Sequence, residues 1–406
     1  MQTDLEALKK NYPQALSYHK GGKVRIQPSK SLDSIDELGL AYTPGVAVPC
    51  KEIEANPLSA YDYTSKSNLV AVISNGTAVL GLGDIGALAS KPVMEGKAIL
   101  FKTFAGIDSF DIEVNEKNVD KFVEVVKAIA PTFGGINLED IKAPECFEIE
   151  RRLVEELDIP VMHDDQHGTA IISTAGIING LHLLNKEAKN MRVVVFGAGA
   201  SAIACARMYR ALGVGEIIMF DSKGAITSDR NDLNETKKEF VVNGKYPTFK
   251  DALRGADALL GLSKANLLSG EDIKEMNENP LIFTLSNPIP EIMPSVAKAA
   301  RPDAIIATGR SDFPNQINNV LGFPYIFKGA LNVRARKINE EMKFAAANAI
   351  AKLAREPITS KLQKLLGHNV SFGREYLLPS AFDERLNEVV SNAVAKAALE
   401  SGVARV

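Results

Sequence analysis

Short apolar runs alternate with segments of helical spacing along most of this 406-residue chain. This alternation is typical of a doubly wound, largely parallel α/β fold, which we predict here. The predicted strands span residues 69–74, 111–114, 135–138, 161–163, 192–196, 216–221, 258–262, 281–285 and 304–308. The predicted helices span residues 92–104, 119–129, 145–157, 169–184, 203–212, 233–242, 293–300, 333–354 and 384–399.

Two acidic doublets directly follow two of these predicted strands. Glu139-Asp140 comes after residues 135–138, and Asp164-Asp165 comes after residues 161–163. Because α/β sheets bind ligands beyond the carboxyl ends of their strands, we expect the four carboxylates to converge. Hard divalent cations such as Mg²⁺ and Mn²⁺ prefer oxygen ligands of this kind. The sequence therefore predicts a divalent-cation site, and the nearby histidines, which lack zinc spacing, are interpreted as supporting residues.

A glycine-rich turn follows the predicted strand at residues 192–196 and opens a helical pattern. This order is typical of a loop that binds a dinucleotide pyrophosphate at a helix N-terminus, although a plain strand–helix turn is the alternative. Asp221 ends the next strand, where a carboxylate can bind the ribose hydroxyls of NAD. Lys223 and Arg230 are close enough in sequence to meet the 2′-phosphate of NADP, so NAD is weakly favoured and NADP stays open. The predicted cofactor-binding residues of this region are Gly197, Ala198, Gly199, Ala200, Ser201, Ala202 and Asp221.

Five further polar residues each have a functional and a purely structural interpretation. Lys97 lies in a largely apolar helical segment. It is either a surface lysine whose aliphatic stem is buried or a base in a closed site. Tyr42 lies in a turn, where tyrosines normally only pack. Asn287, Asn318 and Asn319 follow successive strands, and asparagine is common in turns for local reasons. If these asparagines converge on one cleft, they can bind amide and carboxylate groups.

Composition favours an ordinary soluble enzyme. The formal charge of −3 and the pI near 6.1 argue against a nucleic-acid partner, which would need a basic face. Three cysteines without CxxC spacing predict a reduced, cytoplasmic protein without structural zinc. The N-terminus has no signal-peptide pattern, and no apolar run reaches the length that spans a bilayer, so we expect no membrane partner.

Taken together, these segments resemble the malic enzyme family in its short prokaryotic form, from about residue 41 to residue 335. The motifs that carry the resemblance are Ala41-Tyr-Thr-Pro-Gly-Val-Ala, Gly81-Leu-Gly-Asp-Ile-Gly, Met94-Glu-Gly-Lys, Asn137-Leu-Glu-Asp, His163-Asp-Asp-Gln-His-Gly-Thr-Ala, Leu285-Ser-Asn-Pro and Gln316-Ile-Asn-Asn-Val. The resemblance implies oxidative decarboxylation of L-malate to pyruvate and CO₂, with reduction of NAD or NADP and dependence on Mn²⁺ or Mg²⁺.

The resemblance also implies a role for each matched residue. Tyr42 would be the general acid, Lys97 the general base, and Asp164 the residue that orients the lysine. The implied metal ligands are Glu139, Asp140 and Asp165. The residues expected at malate are Lys97, Asn287 and Asn319, and those expected at the dinucleotide beyond the glycine loop are Asn287 and Asn318.

One position departs from the larger eukaryotic members of that family. They carry an arginine that binds a malate carboxylate, whereas this chain has Ala78 at the matching position. Carboxylate binding must therefore come from elsewhere, and the asparagines are the candidates. The chain also lacks the long extensions that carry allosteric sites in larger relatives, so we expect no regulation of that kind.

We predict three parts and one main function for this chain. Residues 1–165 would form a catalytic and metal-binding α/β domain, residues 166–330 a Rossmann-type NAD(P)-binding domain, and residues 331–406 helices that pack back on both. The helix predicted at residues 169–184 would join the two halves, and a homodimer is expected. The rival functions are an oxaloacetate decarboxylase or malolactic enzyme that uses the same site, and a non-catalytic dinucleotide sensor.

Overall fold

The structure, a computed structural model, describes residues 5–367 and 369–406 and contains two β-sheets with helices packed around them. The strands are β1 (Leu69–Ser74), β2 (Asp108–Glu113), β3 (Gly135–Leu138), β4 (Val161–His163), β5 (Arg192–Phe196), β6 (Glu216–Asp221), β7 (Gly224–Ala225), β8 (Ala258–Gly261), β9 (Leu281–Thr284) and β10 (Ile305–Thr308). The helices are α1 (Leu5–Asn11), α2 (Ala15–His19), α3 (Ile35–Ala41), α4 (Ala47–Ala55), α5 (Ala60–Tyr63), α6 (Ala87–Ala105), α7 (Val119–Ile129), α8 (Glu145–Glu156), α9 (Asp164–Leu184), α10 (Ala200–Ala211), α11 (Glu235–Lys238), α12 (Phe249–Leu253), α13 (Pro294–Ala300), α14 (Phe323–Asn332), α15 (Glu340–Arg355), α16 (Ser360–Leu366) and α17 (Leu386–Glu400).

The first sheet is parallel and has the strand order β2-β1-β3-β4. All six residues of β1 are buried, which explains why the strand is apolar from Leu69 to Ile73 rather than alternating. The chain runs from β1 to β2 on one side and then crosses to β3 on the other side of β1, so the strand order reverses between β1 and β3. Ligands of α/β sheets bind at such a reversal, beyond the carboxyl ends of the two strands. Those ends are Ser74 and Leu138.

The second sheet has the order β10-β9-β8-β5-β6-β7, parallel except for β7. This is the strand order of the doubly wound dinucleotide-binding fold, which confirms the predicted fold class. Its reversal lies between β5 and β8. Gly197 follows β5 with φ of 122°, and a Cβ at this position would lie 2.3 Å from the carbonyl oxygen of Leu262. Only glycine therefore fits this turn.

Most predicted helices differ from the observed ones in their limits, including those at α9, α15 and α11. α9 begins at Asp164 instead of residue 169, because the acidic doublet forms its first turn, where unpaired backbone N–H groups favour negative charge. The helix predicted at residues 333–354 begins only at Glu340, as α15, and residues 333–339 connect it to α14. Arg334 has φ of 47°, and the Ala335 N–H donates to the Ala330 carbonyl, a hydrogen-bond pattern that ends a helix. The helix predicted at residues 233–242 is only the short α11, and none of its four residues is buried, so packing does not extend it.

The C-terminal helices share a buried core with elements of both sheets. Val70 of β1, Phe101 of α6, Phe323 of α14 and Val394 of α17 belong to one buried apolar cluster. The Asn179 side chain in α9 donates hydrogen bonds to backbone carbonyls of this region as well. Among the described residues, no helix is both long and apolar enough to span a bilayer. The domain limits at residues 165 and 330 stay a prediction.

The N-terminal arm, defined here as residues 5–60, does not share this packing. It contains α1 to α4, and none of its described side chains is buried. The Lys23 N–H donates to Glu95, which ties the arm to α6. The rest of the chain is built around the two sheets, so the arm is the one long segment of the described chain without a core of its own.

Candidate active site

Carboxylates from two strand ends meet where the order of the first sheet reverses. Glu139 and Asp140 follow β3, while Asp164 and Asp165 follow β4 and open α9. One oxygen each from Glu139, Asp140 and Asp165 lie within 4.8 Å of one another. Glu139 is 1% exposed and Asp140 is 3% exposed. The convergence expected from the sequence is therefore present, with a carboxylate triad able to hold a metal ion.

Backbone contacts hold this triad in place. The Asp140 N–H donates to Asp165 Oδ2 at 2.7 Å, and the Asp140 carbonyl accepts from the Ala78 N–H at 2.9 Å. The Lys142 N–H donates to Thr77 Oγ1 at 3.0 Å. Asp140 has φ of 53°, a conformation that a non-glycine residue adopts only where the surrounding contacts impose it. The loop after β1 and the loop after β3 are thus joined around the triad.

The charge balance of the triad favours a cation. Burial raises the pKa of Glu139, and the charge of Lys97 opposes this effect. The nearby Asp164 and Asp165 raise that pKa further, so it lies well above its ordinary value. Buried like charges at this separation are costly unless a positive charge compensates them. An oxygen-only donor set of this kind fits Mg²⁺ or Mn²⁺.

Lys97 lies inside the site and is not a surface lysine. Its Nζ is 2.5 Å from Asp164 Oδ2, 3.0 Å from Glu139 Oε1 and 4.6 Å from the centre of the Phe323 ring. Burial lowers the pKa of Lys97, but the charges of Asp164 and Glu139 outweigh burial and hold the pKa above its ordinary value. In this arrangement Lys97 carries a proton.

The three predicted asparagines occupy different positions. Asn319 joins the carboxylates, since its Nδ2 donates to Asp164 Oδ2 at 3.0 Å and its Oδ1 accepts from Thr169 Oγ1 at 3.1 Å. Asn318 instead caps a short turn, where its Oδ1 accepts from the Val320 N–H. Asn287 follows β9 and is exposed. The structure therefore brings Asn319 to Lys97 and Asp164, while Asn287 lies in an open loop.

The glycine loop connects the dinucleotide half to the acidic cluster. Gly199 is the N-cap of α10, and a Cβ there would meet no atom within 4 Å, so the helix N-terminus is open to a ligand. The hydroxyl of Ser201 donates to the backbone carbonyl of Asp165 at 2.5 Å. Ala202 is buried, as close helix–strand packing requires. A pyrophosphate bound at this helix end would lie beside the triad.

Asp221 ends β6 as predicted, but its carboxylate is already engaged. Its Oδ1 accepts from Arg230 at 2.8 Å and its Oδ2 accepts from Lys237 at 2.7 Å. Burial raises the pKa of Asp221, yet the hydrogen bonds from Arg230 and Lys237 outweigh burial and lower it to about 2. Lys223 pairs with Asp232 nearby. The strand end therefore presents three cations, Lys223, Arg230 and Lys237, around the two carboxylates of Asp221 and Asp232.

Sequence reasoning missed a second group of buried charges behind α9. Glu150 in α8 accepts from the His163 N–H at 2.8 Å and from Gln166 at 3.0 Å, and it lies 3.0 Å from the His167 ring. Lys343 in α15 lies 3.1 Å from the same ring. Burial raises the pKa of Glu150, but His167 and Lys343 lower it to about 2. This network fixes the β4–α9 junction, and nothing in the amphipathic pattern of α8 distinguishes Glu150.

Tyr42 is the one predicted catalytic residue that the structure does not bring to the cluster. It caps α3 at the C-terminal end, in the N-terminal arm, and is 71% exposed. Its hydroxyl makes no hydrogen bond within the described chain; its backbone bonds reach only Leu38 and Val46. Within its own chain the phenol is therefore a solvent-exposed group.

Comparisons with known proteins agree with this geometry. Residues 21–154 match the family model described as "Malic enzyme, N-terminal domain", and residues 166–367 match "Malic enzyme, NAD binding domain". The chain is 58% identical over 398 residues to the NADP-dependent malic enzyme of Escherichia coli strain K12, covering 96% of this chain and 52% of that protein. It thus spans about half the length of this and several other curated relatives it matches.

Other relatives are matched over nearly their whole length. The bifunctional malic/malolactic enzyme of Bacillus subtilis strain 168 is 50% identical over 400 residues, covering 97% of this chain and 94% of that protein. The crystal structure of malic enzyme from Pyrococcus horikoshii has a TM-score of 0.88 and 45% identity, covering 97% of this chain and 92% of that one. With these matches over both halves, the chain belongs to the malic enzyme family.

Proposed function

We propose that this chain catalyses oxidative decarboxylation of L-malate to pyruvate and CO₂ with reduction of NAD or NADP. The observation that carries the proposal is the placement of Lys97 against the carboxylate cluster, which the Ser201 hydrogen bond joins to the dinucleotide helix. The base, the candidate metal ligands and the cofactor loop therefore lie next to one another. The names of the relatives, NADP-dependent malic enzyme among them, support the same reaction.

We propose Mn²⁺ or Mg²⁺ as the ion, with Glu139, Asp140 and Asp165 as its ligands. Their oxygens are close enough together to share one ion, and an oxygen-only set of three acidic ligands favours a divalent cation. When bound, the ion would act as a Lewis acid that lowers the pKa of a substrate hydroxyl. The bound dinucleotide would supply the hydride acceptor.

The chain's own residues then divide the proton transfers. Lys97, in its neutral form, accepts the C2 hydroxyl proton of malate, and compensation of the charge on Glu139 lowers the pKa of Lys97 toward that form. Asp164 accepts hydrogen bonds from both Lys97 and Asn319. Asn319 thereby fixes Asp164, and Asp164 orients Lys97. Tyr42 returns a proton to C3 after CO₂ leaves. Asn319 and Asn287 bind the carboxylate groups of malate and the amide group of the cofactor, because no arginine occupies position 78. Asn318 lies on the cofactor side of the site.

The test of this proposal is the product balance. Malate with Mn²⁺ and either dinucleotide should give reduced cofactor, pyruvate and CO₂ in equal amounts. Lactate without accumulated reduced cofactor would favour malolactic activity instead, a second candidate supported by the name of the Bacillus subtilis relative. Oxaloacetate turnover alone would indicate a decarboxylase, and dinucleotide binding without turnover would indicate a sensor.

We further propose that the chain accepts NADP, against the weak preference for NAD predicted from Asp221 alone. Arg230 and Lys237 already occupy the Asp221 carboxylate, so it is less available to ribose hydroxyls, and the same cations can meet a 2′-phosphate. Arg230→Gln should lower kcat/KM for NADP on the order of 10- to 100-fold, with a smaller change for NAD.

The measurement is the ratio of kcat/KM for NADP and NAD in the parent and in each variant. Asp221→Ser should shift that ratio toward NADP, because a nearby negative charge is removed. Arg254→Gln is the matched control, since Arg254 pairs with Glu275 in an exposed position on the same half. The proposal would be contradicted if the parent strongly prefers NAD and if Arg230→Gln has the same NADP-to-NAD ratio of kcat/KM as the parent.

A homodimer is proposed on the exposed apolar character of the N-terminal arm, and a cytoplasmic location on the three unpaired cysteines.

A further inference from the structure

We infer that Glu291 is a positioning residue for the nicotinamide half of the dinucleotide. Its carboxylate ties the loop after β8 to the loop after β9, and the second of these loops carries Asn287. The inference rests on the proposed function, in which Asn287 binds the amide group of the cofactor. Glu291 would touch neither malate nor the cofactor itself and would act through the backbone of the two loops.

Glu291 is an acidic side chain that is buried without a cation. It is 0% exposed, and it forms no ion pair with a lysine, arginine or histidine of the described chain. Burial raises the pKa of Glu291, and the groups that oppose this effect are backbone N–H groups. A buried carboxylate is costly unless hydrogen bonds compensate it. The backbone N–H groups around this carboxylate therefore determine where it lies, and it fixes them in turn.

Each carboxylate oxygen of Glu291 holds a different loop. Oε1 accepts from the Ser263 N–H at 2.8 Å, and Oε2 accepts from the Ser286 N–H at 3.2 Å. Ser263 lies just beyond the end of β8, and Ser286 lies just beyond the end of β9. The carboxylate is thus a bridge between two loops at the carboxyl ends of their strands, where sheets of this kind bind ligands.

The loop after β9 has buried ends and an exposed tip. Residues 287–289 are exposed, whereas Leu285 and Pro290 are buried. Ser286 directly precedes Asn287, so its hydrogen bond to Glu291 fixes the end of the loop from which Asn287 projects. The Glu291 backbone carbonyl also accepts from the Leu268 N–H at 2.9 Å, which fixes the other end. Asn287 therefore has a defined place although its side chain is exposed.

The strand order indicates which half of the dinucleotide would meet this loop. The glycine loop follows β5, and β6, whose end is the place expected for the adenosine ribose, lies on one side of β5. β8 and β9 lie on the opposite side, so the nicotinamide half would extend over their ends. A Cβ at Gly197 would lie 2.3 Å from the Leu262 carbonyl oxygen, so the glycine loop directly contacts the loop after β8. Glu291 thus connects the expected pyrophosphate and nicotinamide positions.

Gly261 leaves the space that the carboxylate occupies. A Cβ at this position would lie 2.5 Å from Glu291 Cδ and 2.7 Å from Glu291 Oε2. Gly261 is the last residue of β8, and alanine can adopt the backbone conformation of a strand. Gly261→Ala would therefore displace the carboxylate without changing its charge. This variant gives a second, independent way to test the bridge.

Binding of matched ligands tests the inference without turnover. The Kd of NADPH and of NADH is compared with the Kd of the same molecule without nicotinamide, which is 2′-phospho-ADP-ribose or ADP-ribose. In Glu291→Gln a single amide oxygen replaces the two carboxylate oxygens, so one loop loses its acceptor. The Kd of both dinucleotides should rise on the order of 10-fold, while the Kd of both fragments stays at the parent value.

Gly261→Ala should weaken dinucleotide binding selectively in the same way. The double variant should bind no more weakly than the weaker single variant, because both changes act on one carboxylate. Glu271→Gln is the matched control, since Glu271 is an exposed glutamate of the same half that pairs with Lys274. It should bind all four ligands as the parent does.

A purely structural role of Glu291 predicts a different result. It would lower the Tm and weaken each dinucleotide and its fragment by the same factor. Equal effects on dinucleotide and fragment in Glu291→Gln, or parental affinity for both, would overturn the inference. If Glu291→Gln does not fold, Gly261→Ala decides by the same criterion.

These measurements also separate the inference from the proposed function. If the parent binds both dinucleotides but does not oxidise malate, the proposed function fails, and selective loss of dinucleotide affinity in the variants still supports the role of Glu291. If the parent oxidises malate and neither variant distinguishes dinucleotide from fragment, the proposed function stands and the inference is wrong.

Discussion

Replacing Lys97 with alanine is expected to abolish malate oxidation and to leave dinucleotide binding nearly unchanged. Lys97 contacts Asp164 and Glu139 but lies outside the glycine loop that begins at Gly197, so its loss removes a base without altering the cofactor site. Removal of a general base typically costs on the order of 10²- to 10⁴-fold in rate. The measurement is kcat with malate, together with the Kd of the dinucleotide by fluorescence.

Two further variants make this result specific. Lys102→Ala on the same helix is the matched control, because Lys102 is exposed and pairs with Asp108 at the surface. It should keep parent activity. Lys97→Arg retains the positive charge but cannot be deprotonated, so it should be nearly as inactive as Lys97→Ala if the base is what matters. Near-parental turnover of either Lys97 variant would contradict the assigned role.

The second large effect is expected at the metal triad. Asp165→Asn should lose divalent-dependent activity, because it removes a charged ligand while keeping an oxygen that can accept from the Asp140 N–H. Replacing a residue that only hydrogen-bonds to a metal ligand commonly lowers metal affinity by about 10- to 100-fold. Replacing a ligand itself should therefore weaken Mn²⁺ binding by at least about that factor. Calorimetric titration of the metal-free protein with Mn²⁺ measures this directly.

Asp120→Asn serves as the control, since Asp120 is a surface residue paired with Arg152. It should bind Mn²⁺ as the parent does. Asp165→Ala should be at least as defective as Asp165→Asn, because it also leaves the Asp140 N–H without its carboxylate acceptor. Parent activity that survives EDTA would contradict the metal-centred mechanism as a whole.

Much of the fold was predictable because its signals are local. The predicted limits are confirmed for the strands β1, β3, β4, β5 and β6 and for the helix α7. A continuous apolar run indicates a strand that is buried on both faces, and helical spacing of apolar residues indicates a helix that is buried on one face. The errors have local causes as well. The start of α15 at Glu340 instead of residue 333 depends on the positive φ of Arg334, which apolar periodicity does not reveal. The early start of α9 depends on carboxylates at a helix N-terminus, which the pattern alone assigns to a loop.

The candidate site divides along similar lines. Acidic doublets after strands and a glycine turn after a strand are sequence patterns with a general physical meaning, so the triad and the cofactor loop could be predicted. Glu150 could not be predicted, because its role arises from contacts with His163, Gln166 and His167 across α8 and α9. The sequence indicates Arg230 only as a candidate phosphate ligand, whereas the structure shows it bound to Asp221.

The sequence by itself determined the residue types, their order and the strand ends at which they lie, because these follow from backbone periodicity and side-chain chemistry. Only the tertiary structure decided which of those residues meet. It brought Lys97, Asp164 and Asn319 together from three distant segments and left Tyr42 exposed on the arm. The physical reason is that such contacts depend on how packed elements are oriented in space, which local propensity does not encode.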